Sequence, residues 1–303
     1  MNPINSNMNV SNPYKKLLAI GITITFFLIA LGSVVRTTES GLGCPDWPLC
    51  YGQIIPPFEF HALVEYAHRF VASIIGLIIS IIVTIAHLKY RHIKYIIIPL
   101  RICFIALIIQ VILGAITVIN ELPPEIVTLH LFVALSIFGL LIFVWSITKE
   151  GNEENFKSKK VLRIVYISTF LTMITILSGS YLVGSGASAV CPDWPLCLST
   201  KIPDNILTWT HMAHRIIAGG TIIVVLFAAR QSWASSRNTD LRMASMVVGV
   251  LSFIQIFVGA ANPWLEFSSF ARSLHLAIAA AVWGSLIMLL AFSGTNKKQI
   301  DYD

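Results

Sequence analysis

The sequence predicts an all-α, polytopic membrane protein whose eight transmembrane helices form two parallel-repeat four-helix bundles. Three observations predict it. Of the 303 residues, 56% are hydrophobic and only 12% charged, with a mean hydropathy of +0.78, a balance too apolar for a soluble domain. Eight stretches each supply the roughly 20 apolar residues that a helix needs to cross a hydrocarbon core of about 30 Å. The second half of the chain also repeats the motifs of the first, in the same order.

Taken in order, the first span lies near residues 17–35. It follows a polar start, Met1 to Lys16, and no small-residue cleavage site follows it, so it reads as a retained span and not a signal peptide. The second (66–88) and third (95–119) are joined by a basic turn, and the fourth (126–148) runs into the charged segment Lys149 to Lys160, read as an exposed loop. The fifth (162–183), sixth (209–229), seventh (243–261) and eighth (270–292) complete the set.

Orientation follows from the cations. Lys15 and Lys16; Lys89, Arg91, Lys94 and Arg101; Lys149, Lys157, Lys159, Lys160 and Arg163; Arg230, Arg237 and Arg242; and Lys297 and Lys298 fall on one side. The positive-inside rule makes that side cytoplasmic, which predicts a multi-pass cell (inner) membrane protein with both termini inside. The other side holds only Arg36, Arg69, Lys201, Arg215 and Arg272. The net charge of +6 thus reports topology and gives nucleic-acid binding no support.

The repeat fixes the architecture. Cys44-Pro45-Asp46-Trp47-Pro48-Leu49-Cys50 recurs as Cys191-Pro192-Asp193-Trp194-Pro195-Leu196-Cys197, and His68-Arg69 recurs as His214-Arg215. Gln110, Gly114, Ala115 and His130 recur as Gln255, Gly259, Ala260 and His275, with offsets of 147, 146 and 145 along the chain. Each unit has an even number of spans, so both enter from the same side and an axis along the membrane normal relates them. The predicted halves are residues 1–150 and 151–303.

The histidines carry the chemistry. His68, His130, His214 and His275 stand near the outer ends of the second, fourth, sixth and eighth spans, and an ionisable group inside a membrane calls for a partner. Neutral imidazole ligates iron well, and two helices presenting one histidine each at matching depth meet the need of an axial haem pair in a four-helix bundle. This predicts two bis-histidine sites, His68 with His130 and His214 with His275. One interfacial histidine is more often a structural hydrogen-bonding residue; four in duplicated register favour ligands. His61, His87 and His92 read as solvated. Arg69, Arg215, Arg272 and Arg36 stand where they could meet haem propionates, with snorkelling to headgroups the rival reading for the first three. A zinc site fits less well, because the ligands are split between distant bundles and no carboxylate or thiolate completes a tetrahedron in the second half.

Four of the five cysteines form two outer-side pairs, so disulfides Cys44–Cys50 and Cys191–Cys197 are expected. Structural staple and redox relay both remain open for them. Cys103 reads as a buried apolar residue. No Cys-x-x-Cys-His occurs, which excludes covalent c-type haem. The halves differ at Glu65, one turn before His68 and matched by His211, and at Arg36 and Glu39, matched by Val183 and Gly186. A carboxylate there could accept a proton or stabilise a developing cation, or it could simply partner a ligand or Arg36.

In combination, Glu65-x-x-His68-Arg69, the histidines on alternate spans, the cysteine pairs and the four-plus-four repeat resemble haem A synthase, in its bacterial branch with cysteine pairs. The resemblance runs from Leu17 to about Phe292. It implies a membrane oxidoreductase of haem A biosynthesis and cytochrome oxidase assembly that oxidises the C8 methyl of haem O stepwise to the formyl of haem A, with water as oxygen source. It further implies that His68 and His130 ligate the substrate haem, that Glu65 is catalytic, and that His214 and His275 hold a haem b cofactor. The implied partners are the lipid bilayer, haem O synthase, an electron acceptor of unspecified kind and further copies of the chain. The sequence departs from some relatives at Val183, where they carry Arg, and at His211, where an uncharged amide is common; His211 thus stands as a candidate replacement for the missing cation. The competing readings are a membrane b-type cytochrome or haem carrier without ring chemistry, against which the shared depth of all four ligands argues, and a quinone-linked thiol oxidoreductase, which would leave the histidines without a task.

Overall fold

A computed structural model describes residues 10–149, 158–197 and 205–294. Most of the segment from Lys149 to Lys160, together with Lys201, Lys297 and Lys298, lies outside the described residues. Each predicted span is a helix: α1 (Asn12–Thr37), α2 (Phe60–Lys89), α3 (Lys94–Ile119), α4 (Pro124–Thr148), α5 (Lys159–Gly184), α6 (Ile206–Ser235), α7 (Thr239–Trp264) and α8 (Ser269–Gly294). All eight are long and apolar enough to cross a membrane. Outside them, the described residues hold one isolated bridge, between Cys50 and Gln53.

The helices outrun the apolar stretches. The second begins at Phe60, six residues before the predicted 66, because His61 and Glu65 depress local hydropathy without disturbing the helix. His61 therefore sits in the first turn of α2, exposed as expected, and its Nδ1 meets Ser40 Oγ at 3.0 Å. At the end bearing the cysteine loops, corresponding helices stop in the same way. After α1 and α5 the chain turns through positive φ at Glu39 (57°) and Gly186 (79°). After α3 it does so at Glu121 and Leu122, and after α7 at the matching Glu266 and Phe267, a conformation uncommon without glycine.

Within the first half, α1 packs on α2, α2 on α3, α3 on α4 and α4 back on α1; α5 to α8 close the same ring. The rings meet through α1 with α8, α4 with α5 and α4 with α8, which makes α8 the most enclosed helix. Small residues let α4 and α8 approach. Trp283 lies against Gly139 and Phe138 against Gly284, each pair the repeat counterpart of the other, and Trp283 Nε1 donates to the Leu135 carbonyl at 3.0 Å. Apolar clusters fill each ring, Leu18, Ile79, Leu100 and Leu141 in one and Val165, Val225, Val248 and Leu286 in the other. Cys103 is buried. Large apolar side chains such as Phe27, Leu77, Ile105, Phe170, Ile223 and Phe253 cover the outer surface, the inverse of a soluble fold and suited to lipid.

Candidate functional site

The histidines share one register. His68 and His214 are the ninth residues of α2 and α6, and His130 and His275 the seventh of α4 and α8. At 1.5 Å per residue, all four lie about 9–12 Å from their helix starts, on the cysteine-loop side. His68 is within electrostatic reach of His130, and His214 of His275.

Each ring rests on a glycine of the preceding helix. A Cβ added to Gly32 would stand 3.1 Å from His68 Cε1; the corresponding distances are 3.5 Å for Gly114 and His130, 3.0 Å for Gly179 and His214, and 3.0 Å for Gly259 and His275. Even alanine would crowd three of these rings, so the glycines fix where the imidazoles can lie. Gln110 Nε2 approaches His130 Nε2 at 3.1 Å, while Gln255 Nε2 approaches His275 Nδ1 at 3.2 Å. His214 Nδ1 meets Ser178 Oγ at 2.7 Å.

As a donor set these neutral imidazoles fit haem iron, each seated on a glycine at one register. His68 Nδ1 and His130 Nδ1 are buried without a hydrogen-bond partner. Among the described residues no three His, Cys, Asp or Glu side chains converge as a metal site. His214 and His275 would hold one haem, and His68 and His130 the other.

Beside the first pair, Glu65 is buried at 5% exposure, and Arg69 Nε donates to its Oε1 at 2.8 Å. Its partner is thus Arg69, one turn away on the same helix, and not Arg36. In the second half the buried His211 meets the Ala187 carbonyl through Nδ1 at 2.9 Å and lies edge-on to Phe267.

The remaining cations divide in two. Arg69 donates to the carbonyls of Cys44, Asp46 and Leu49 at 2.7–2.9 Å, and Arg215 to those of Cys191, Asp193 and Pro195 at 2.6–3.2 Å. Each ties a cysteine loop to the residue following a candidate ligand. Arg272 Nη2 donates to the Thr37 carbonyl at 3.1 Å, leaving a buried Nε without a partner, and Arg36 feels its charge across the α1–α8 seam. These two keep guanidinium capacity for an anion.

The cysteines pair as expected, Cys44 with Cys50 and Cys191 with Cys197, with Cα separations of 4.6 and 4.4 Å. No side chain fits at Gly43, which presses the first loop onto the His61 carbonyl. Asp46 organises that loop by accepting from Gly52 N–H at 2.8 Å and Tyr51 N–H at 2.5 Å. Those donors, Gly52 foremost, hold its carboxyl below the usual carboxylate range.

Sequence reasoning missed the glycine seats and Ser178. The repeat carried the signal for both: Gly32 and Gly179 correspond, as do Gly114 and Gly259, whereas Ser178 faces Leu31 in the alignment.

The description "Cytochrome oxidase assembly protein" matches residues 15–61 and 57–287, nearly the whole chain. Relatives named "Heme A synthase" agree over similar lengths. That of Lysinibacillus sphaericus is 27% identical, covering 95% of this chain and 98% of the relative. Those of an Exiguobacterium species and Staphylococcus haemolyticus are each 28% identical over 91% of this chain, covering 93% and 94% of the relatives.

Proposed function

Because the chain belongs to the cytochrome oxidase assembly protein family, we propose that it is a haem A synthase, a membrane oxidoreductase that converts haem O to haem A. The C8 methyl group and one water together give up four protons and four electrons as the carbon takes the water oxygen and becomes formyl, through a hydroxymethyl stage. The first half takes the substrate between His68 and His130. The second half takes haem b between His214 and His275, which when bound supplies a one-electron relay towards an external acceptor.

One observation carries this reading. Of the two histidine pairs, only the first has a buried carboxylate, Glu65, one helical turn from a candidate ligand. A carboxylate in a low-dielectric setting can accept protons from the C8 carbon or stabilise positive charge developing beside the ring, and Arg69 holds it in place. Arg36 and Arg272 receive propionates at the seam between the halves, while Arg69 and Arg215 hold the loops above the rings.

By the distribution of cations, the cysteine loops face away from the cytoplasm and both termini face it. Haem O is apolar enough to arrive through the bilayer from haem O synthase. Expressing the chain with a haem O source in cells that lack haem A tests the activity: haem A should appear among the extracted haems by chromatography and mass. Unchanged haem O from a folded protein would turn the reading to a carrier.

A further inference from the structure

In the second half His214 has a hydroxyl partner on its Nδ1, and neither His68 nor His130 in the first half has any partner there. Ser178 Oγ donates to the Thr175 carbonyl at 2.8 Å, which commits its proton, so its lone pair accepts from His214 Nδ1–H at 2.7 Å. That contact sets the tautomer and presents the Nε2 lone pair to iron. The group extends further, for Thr175 Oγ1 and Thr221 Oγ1 meet at 2.8 Å across α5 and α6. At His275, Gln255 Nε2 lies 3.2 Å from Nδ1 and 3.5 Å from Nε2 and donates to the His275 carbonyl at 3.2 Å.

In the first half the positions matching Ser178, Thr175 and Thr221 hold Leu31, Leu28 and Ile75. None can accept a hydrogen bond. His68 Nδ1 and His130 Nδ1 are correspondingly buried without partners. A ligand without an outer partner is less basic and less firmly oriented.

We propose that Ser178 is a positioning residue that makes the second-half haem resident, and that Leu31 at the matching place leaves the first-half haem free to exchange, as a substrate and product must. This rests on the assignment of His214 and His275 to haem b. A hydrogen bond accepted from Nδ1–H adds imidazolate character, which favours ferric iron and lowers the reduction potential.

The test uses the full chain purified with its haem. In Ser178→Ala the midpoint potential of the low-spin b-type band should rise, and haem should pass to apomyoglobin on the order of tenfold faster, in line with the loss of an outer-shell partner. Ser178→Thr, which keeps the hydroxyl, should restore both. Leu31→Ser should slow release of haem A from the first half. Parental potential and transfer rate in Ser178→Ala overturn the proposal, and unaltered haem A release in Leu31→Ser overturns its second part. His214→Ala separates the two layers: if the b-type band survives there, the haem b assignment fails and this inference with it, whereas loss of the band beside an unaffected Ser178→Ala refutes the inference alone.

Discussion

Ser178 meets His214 Nδ1, and Thr175 and Thr221 meet each other across the same two helices; the matching positions of the first half hold Leu31, Leu28 and Ile75. One turn before His68 lies the Glu65–Arg69 ion pair, and one turn before His214 lies His211 bonded to a carbonyl. The glycine beneath each ring, the register of the histidines and the arginine clasp on the disulfide loop are common to both halves. Duplication thus preserved the means of holding an imidazole at a set depth and relaxed what surrounds it. One half has polar groups behind its ligands and no carboxylate beside them; the other has the reverse. The first arrangement suits a fixed electron carrier, the second a ring that is chemically altered and released.

The largest expected effect breaks the pairing. His275→Ala should abolish the low-spin b-type absorption, whereas His130→Ala should spare that band and abolish haem A formation. An unchanged spectrum in His275→Ala would refute the ligand assignment, and loss of the band in both variants would mean that the halves are not separate sites. Next is Glu65→Gln, which keeps shape and removes charge. Conversion should stop or stall, falling by about 10²–10⁴, the usual worth of a positioned acid or base, with haem b still bound. Normal haem A yield would remove Glu65 from the mechanism.

A smaller effect separates the two loop clasps. Arg69→Gln leaves Glu65 buried without its cation, and breaking a buried pair costs about 3–5 kcal/mol. Arg215→Gln loses only hydrogen bonds to three loop carbonyls, the equivalents of which Arg69→Gln loses as well. The apparent melting temperature in detergent should therefore drop further for Arg69→Gln. Equal drops would mean that Glu65 draws nothing from Arg69.

Much of this was legible in the chain. Hydropathy gave eight spans, and the repeat gave four histidines in one register and two disulfides, because those signals depend on composition and identity alone. The extra turns at the start of α2 were not, since a scan for apolar residues stops at His61 and Glu65, which a helix accommodates. Nor were the partners of Arg69 and Arg215: a cation near a membrane interface can meet propionates, headgroups or carbonyls, and only the folded loop supplies Cys44 O and Cys191 O at the right place. Ser178 looked like an ordinary helix hydroxyl bonded back to its own backbone, as Thr25 and Thr172 are, a common habit of Ser and Thr in helices. Its second bond, to a ring on another helix, is tertiary information. The same holds for the glycines, whose function is the space above them.

The smallest effect concerns the loop beside the substrate half. Asp46 accepts two backbone N–H bonds, which hold its folded pKa below the unfolded value near 3.9. A carboxylate depressed in this way contributes order that is present above the unfolded pKa and lost as pH falls through the folded one. The amides of Tyr51 and Gly52 should then show constant hydrogen-exchange protection, after correction for intrinsic rates, from pH 7 to about 5, and lose it only in stronger acid, below the ordinary carboxylate range. Asp46→Asn should remove that acid dependence, because an amide has no proton to gain. Since Arg69 grips the Asp46 carbonyl as well as Glu65, loosening of this turn would reach the carboxylate beside His68. Loss of protection already between pH 6 and 5 would show that Asp46 does not hold the loop in its ionised form, and the link from loop to the Glu65 carboxylate would then run through the Arg69 contacts with Cys44 and Leu49 alone.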